Sequence, residues 1–425
     1  MSSSVAHPQS DTGRRRWRLV GPGVVAAATG VGAGDLVATL VAGGEYGYAL
    51  LWAGVLGTVL KISLAEAVGR YHLATGSTVF AGWRSLGSWT TVYFACYVVV
   101  WGFVYGAAAM TSSALPLAAL FEGLDLRTWA VLSGLVGLAF VWFGRYGVFE
   151  KVMTACVGVM FVTVVGLAVL VVPDVPALLG GLRPRLPEGS ALYTLGLVGG
   201  VGGTITMAAY GYWINAKGWR DASWMRVMRW DNRVAYLTTG LFVLAMLVVG
   251  AELLHAGGIA LASGDRGLLD LDAVLRERFG PVVSTLFLVG FFATAFSSLL
   301  GVWHGVSLVV ADFVANLRRP MGQEAAERVA GGGAERSWPF RAYLLWLTFP
   351  PMGLLFLDRP FALVVAYGVL GAFFMPFLAG TLLWLLNGSR TPAEHRSGPV
   401  SNVALTLAAL LFVVLCADQV RELLA

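Results

Sequence analysis

Residues 21–44 read GPGVVAAATGVGAGDLVATLVAGG. The stretch is apolar and long enough to cross a bilayer, which takes about 20 residues. Its middle is punctuated by Gly30, Gly32 and Gly34, and Asp35 follows at once. Glycine is about 1 kcal/mol worse than alanine inside a helix, so three at alternate positions predict a locally unwound stretch. Residues 195–219, LGLVGGVGGTITMAAYGYWINAKGW, repeat the pattern: Gly199, Gly200, Gly202 and Gly203, then Thr204, Thr206 and Met207. Glycines can also serve as small packing faces between helices. Two interrupted spans at corresponding places in two halves of a chain point instead to an inverted-repeat carrier. Unwound carbonyls are tolerated at that depth where they line a cavity or bind an ion. An acid there needs a cation, a basic partner or a proton. Asp35 can also cap the second half-helix of its span.

The rest of the chain supports a lipid setting. Of 425 residues, 57% are hydrophobic and 12% charged, where a soluble domain carries about 25% charged residues. The 54 glycines suit close helix contacts in a membrane. Apolar windows place spans near 19–43, 47–71, 90–121, 127–146, 149–172, 191–216, 232–254, 281–315, 340–357, 361–386 and 400–419. The expected fold is an all-α integral membrane protein of about 11 transmembrane helices. Its two five-span halves cover about 19–172 and 191–386, with an extra span at 400–419. Together they make a single transmembrane domain over 19–420, behind a tail at 1–18.

Charge orients this map. With the N-terminus inside, the segments assigned to the cytoplasm hold 20 of the 29 basic residues and the outer segments 8, with Lys61 inside the second span. Basic residues mark the cytoplasmic side. The expectation is a multi-pass protein of the cell membrane, N-terminus cytoplasmic and C-terminus outside. Arg14, Arg15, Arg16 and Arg18 read as the flank of the first span rather than an export signal. The net charge of +5 then reports topology, not a nucleic-acid partner. Segment 316–339, with Gly331, Gly332 and Gly333, reads as a flexible cytoplasmic linker. Cys96, Cys156 and Cys416 lie in apolar runs without metal-ligand spacing and read as packed thiols. Phosphate-loop, HExxH and Gly-x-Ser-x-Gly motifs are absent, so no enzyme is expected.

Several stretches carry a resemblance: GPG at 21–23, LVATLVAGGEYGYALLW at 36–52, LATG at 73–76, FEK at 149–151, FFATAFSSLLGVWHG at 291–305 and MPFLAG at 375–380. Together they resemble the Nramp family of divalent-metal transporters. The resemblance implies a LeuT-type inverted repeat and an ion site at the two breaks. The family's Asp-Pro-Gly-Asn signature aligns with Gly32, Ala33, Gly34 and Asp35. Its Met-Pro-His signature aligns with Thr206, Met207 and Ala208, and a one-residue shift would return Met207 to the site. Carbonyl ligands would map to Thr29 and Gly203. The third span has no acid or histidine, and Ala208 and Trp213 stand where the family's histidines fall. The usual proton coupling is therefore not expected. These departures resemble the divergent branch whose members include uncoupled magnesium and manganese transporters. Replacing a thioether by the Thr206 hydroxyl removes the bias toward softer metals.

The resulting expectation is a secondary transporter or facilitator of divalent cations of the Mg²⁺/Mn²⁺ type, working by alternating access. Asp35 and Thr206 would be metal ligands, with Met207, Thr29, Gly203 and Gly32 completing the ion site. Tyr210, Trp213, Ser297 and His304 are candidates for gating or cavity lining. The cation is cargo, no cofactor is expected, and the partners are the cation and the bilayer. Oligomeric state is not legible, and a monomer fits. The rival reading is a carrier of a small organic solute, such as an amino acid, on the same scaffold. A receptor that binds without moving its ligand is the other, disfavoured by the lack of a soluble domain. Glu66 and Arg70, four apart, are expected to pair, and Lys61, about one turn away, to take a structural ion-pair role or to snorkel; Asp312 is expected to reach water or the linker, and Glu252 with His255 to form a weak rim site.

Overall fold

The computed structural model describes residues 21–121, 123–200, 203–256, 266–317, 334–357 and 360–424. The tail at 1–18, the Gly331–Gly333 segment, Gly202 and the side chain of Asp35 lie outside the described residues. The first span is two helices, α1 (Pro22–Gly30) and α2 (Ala33–Tyr46), parted at Val31 and Gly32. Gly47, with φ of +56°, then opens a 3₁₀ turn, Gly47–Leu50, that leads into α3 (Leu51–Thr75). A short helix, α4 (Val79–Leu86), is capped by Thr78, whose hydroxyl accepts from the Ala81 amide. The first half closes with α5 (Ser88–Leu120), α6 (Leu126–Phe143) and α7 (Tyr146–Leu170).

The second half follows a small connecting helix, α8 (Val175–Gly181), capped by Asp174. Its first span is again divided, into α9 (Ala191–Gly200), a 3₁₀ turn (Ile205–Ala209) and α10 (Tyr210–Ala216). Then come α11 (Met225–Gly250), the connecting helix α12 (Arg266–Phe279), α13 (Pro281–Leu317) and α14 (Trp338–Met352). The last two helices are α15 (Pro360–Asn387) and α16 (Pro399–Leu424). Seven helical stretches among the described residues are long and apolar enough to cross a membrane. Shorter apolar helices lie at Phe373–Asn387 in α15 and Pro399–Val414 in α16. The stretches left between expected spans at 173–190 and 255–280 contain α8 and α12. Helix α12 buries Leu271 and Leu275 and carries Arg276 and Arg278 in its last turn, the pattern of a one-faced surface helix.

Packing brings the divided helices to the centre. Helix α1 lies against α7, α11 and α13; α2 lies against α9 and α11; and α9 also meets α3 and α15. Small residues allow these approaches: a Cβ added to Gly250 of α11 would stand 3.1 Å from the Gly43 Cα of α2. Large apolar side chains, among them Val92, Val162, Val282 and Val400, are exposed on the outside of the helices, as a lipid-facing surface requires.

Candidate cation site at two helix breaks

The two breaks meet. Gly203 has φ of +84°, which a side chain rarely adopts, and Thr204 follows in another irregular conformation with φ −121° and ψ −98°. A Cβ on Gly203 would overlap the Thr206 hydroxyl and stand 3.1 Å from the Gly30 Cα. The second break therefore lies directly on the first, with the Thr206 hydroxyl turned over it. A third helix closes the group, since a Cβ on Gly371 of α15 would stand 2.7 Å from the Thr204 methyl.

The backbone at and beside the breaks, including the last carbonyls of α1, is served by polar side chains from neighbouring helices. Ser298 of α13 donates to the Thr29 carbonyl at 2.9 Å, and Ser297 donates to the Ala28 carbonyl at 3.5 Å and the Thr294 carbonyl at 3.0 Å. Beside them is a cavity of about 10 Å³, roughly the room one water needs. Gly32, Tyr105, Ala108, Ala109, Ser112, Ala295, Ser298 and Tyr367 line it. Four of its eight lining residues carry hydroxyls, and those of Tyr105 and Ser298 are 3.1 Å apart. Lys61 comes from α3. Its side chain is fully buried, and its ammonium donates to the Gly203 carbonyl.

At the end of the bundle where α1 begins, a second polar system ties α10 to three helices. Tyr210 donates to the Asp231 carboxylate of α11 at 3.0 Å. The same carboxylate accepts the Gly21 and Gly23 amides at 3.1 and 2.6 Å, so it holds the start of α1. A carboxylate is favoured at a helix N-terminus, where amides lack internal partners and the dipole is positive. Tyr212 donates to Asp312 of α13 at 2.7 Å. Trp213 donates to His304 at 3.3 Å, and His304 in turn meets Glu335 at 2.9 Å and stacks on Phe149. Lys217 pairs with Glu150 of α7 at 2.5 Å.

The sequence expectations divide against this geometry. Thr29, Gly32, Gly203, Thr206 and Met207 gather around the breaks, and Thr206 and Met207 are both buried. Asp35 sits in the first turn of α2. Ser297 serves backbone beside the cavity, while the cavity wall is Ser298. Tyr210, Trp213 and His304 do not line that cavity and belong to the tie around α10. Lys61 does not snorkel: it has no exposed surface, and it donates to a carbonyl in the other half of the chain. Glu66 pairs with Arg70 at 3.3 Å as its spacing predicts, and also with Arg229 at 2.9 Å. Asp312 does not reach water. It is buried and accepts from Thr78 at 2.6 Å, Tyr212 at 2.7 Å and Asn316 at 2.8 Å. Glu252 and His255 do not converge, for Glu252 accepts from Tyr48 and the Asp174 amide while His255 faces the Gly44 carbonyl. Among the described residues no three His, Cys, Asp or Glu side chains form a metal-holding group. Sequence reading missed Asp231, since it lies among basic residues at the end of a span and its partners are backbone amides about 210 residues away.

Comparison with known proteins agrees with this architecture. The family model "Natural resistance-associated macrophage protein-like", Nramp, matches residues 23–420. The divalent metal cation transporter MntH of Mycobacterium tuberculosis (strain CDC 1551 / Oshkosh) is 26% identical over 309 residues, covering 69% of this chain and 70% of that protein. MntH of Mycobacterium leprae (strain TN) is 26% identical over 428 residues, covering 94% and 91%. A crystal structure of a mutant Eremococcus coleocola manganese transporter superposes with a TM-score of 0.77 at 17% identity, covering 97% of this chain and 88% of that one. That likeness is one of fold. With the family model spanning nearly the whole chain, this protein belongs to the Nramp family.

Proposed function

We propose that this chain moves divalent cations of the Mg²⁺/Mn²⁺ type across the cell membrane by alternating access, with its N-terminus cytoplasmic and its C-terminus outside. The observation that carries the reading is the contact between the two breaks, Gly203 against Gly30, beside a small cavity half of whose lining residues carry hydroxyls. Backbone and hydroxyl oxygens are hard ligands suited to such ions. Asp35 is the anionic ligand of this proposal. The Thr206 hydroxyl and the Thr29 and Gly203 carbonyls complete it, with Gly32 leaving room and Met207 as the alternative to Thr206. The domain is one unit built of two halves, about 19–172 and 191–386, with the last span outside the repeat. The MntH relatives are named as divalent metal cation transporters, which supports the substrate class.

The test is uptake of Mg²⁺ and Mn²⁺ into proteoliposomes by the wild type and Asp35→Ala. The expected outcome is at least a tenfold loss of flux in the variant. Undiminished flux would remove Asp35 from the site. Metal-driven proton movement in strict proportion to the cation, read with a pH dye, would sink the uncoupled reading. One observation favours a second reading, a small organic solute bearing a carboxylate: the Lys61 side-chain nitrogen buried at the second break. Amino-acid uptake without cation uptake in the same vesicles would select it.

A further inference from the structure

The Gly203 carbonyl is one of the oxygens proposed for the cargo, and it already accepts a hydrogen bond from a lysine. Lys61 reaches across from α3 and donates to that oxygen. Its side chain is fully buried, so the ammonium cannot lean out to water as a lipid-edge lysine does. Gly203 is in a left-handed conformation, and the Thr206 hydroxyl and Gly30 both stand close on the side where a Cβ would be. A carbonyl oxygen has a second lone pair. A divalent ion placed on it would nevertheless be separated from the ammonium by little more than that oxygen. Like charges at such a distance, away from water, repel strongly.

We propose that Lys61 is a tethered internal cation that competes with the transported divalent cation for the Gly203 carbonyl, and that it thereby sets the affinity of the site. The idea rests on the cation-transport reading above. Cargo binding requires the ammonium to leave the Gly203 oxygen, so Lys61 lowers affinity while keeping the break ordered when no cargo is bound. A lysine that only braced the break would have the opposite signature, because removing it would loosen the site and weaken cargo binding. The sign of the affinity change therefore separates the two roles.

The experiment measures Mn²⁺ and Mg²⁺ binding to purified protein by calorimetry, with flux in proteoliposomes, for wild type, Lys61→Met, Lys61→Gln and Lys61→Arg. Thermal unfolding of each protein reports folding. Lys61→Gln keeps a hydrogen-bond donor while removing the charge, so it decides the matter if Lys61→Met does not fold. The expected result is at least tenfold tighter binding in the neutral variants and no gain in Lys61→Arg. Unchanged or weaker binding in folded neutral variants overturns the proposal, as does an equal gain in Lys61→Arg. In either of those cases wild-type cation flux leaves the transport reading standing. Absence of cation binding in all four proteins overturns both.

Discussion

A buried carboxylate must be surrounded by donors, because a charge taken out of water without partners is costly. Asp312 meets that demand with Thr78, Tyr212 and Asn316, contributed by the turn before α4, by α10 and by its own helix. Asp312→Ala would leave three buried donors without this acceptor. At about 1–3 kcal/mol for each unsatisfied group, the expected loss is about 3 kcal/mol or more. Thermal unfolding in detergent should show a clear drop in midpoint, with Asp312→Asn intermediate because it keeps one acceptor oxygen. An unchanged midpoint would mean that water reaches the three donors.

Among the helices, α1 and α10 behave as the parts most specifically fastened. The start of α1 is held by one side chain, Asp231, through two amides, and the same carboxylate takes the Tyr210 hydroxyl. Opening the bundle at this end requires these bonds to break together. Asp231→Asn offers a single acceptor oxygen where the carboxylate offers two, so at least one amide of α1 loses its partner. Hydrogen–deuterium exchange over residues 21–30 is expected to speed up severalfold in Asp231→Asn, with exchange in α6 unaltered. Equal exchange in the two proteins would show that α1 is held by apolar packing alone. The other end has its own fastening, Glu252 with Tyr48 and the Asp174 amide, so the bundle carries a polar clasp on each side of the breaks.

At the scale of the whole molecule, the basic residues predict orientation. Cytoplasmic flanks should hold Arg226, Arg229, Arg341 and Arg390, and the outer side Arg183, Arg185 and Arg278. An epitope tag placed after Ala425 should be stained in intact cells, and a tag before Ser2 only after permeabilisation. The reverse pattern would invert the proposed topology without altering the fold, since helix packing is indifferent to which side faces the cytoplasm.

Local chemistry was legible in the sequence. Span positions follow from the length of apolar runs, the two breaks from clustered glycines, and the Glu66–Arg70 pair from a four-residue spacing on one helix. These are properties of neighbours along the chain. The folded bundle decided the rest, because its partners are far apart in sequence. Lys61 meets Gly203 142 residues away, Asp312 meets Tyr212 100 residues away, and Ser298 meets Thr29 269 residues away. A buried polar group takes whichever donor or acceptor the packing brings to it, and no spacing rule reports which helix that will be. The sequence by itself determined a divided-helix membrane bundle with oxygen-rich breaks. Only the tertiary structure decided that one of those oxygens is shared with a lysine, since that depends on α3 passing the second break.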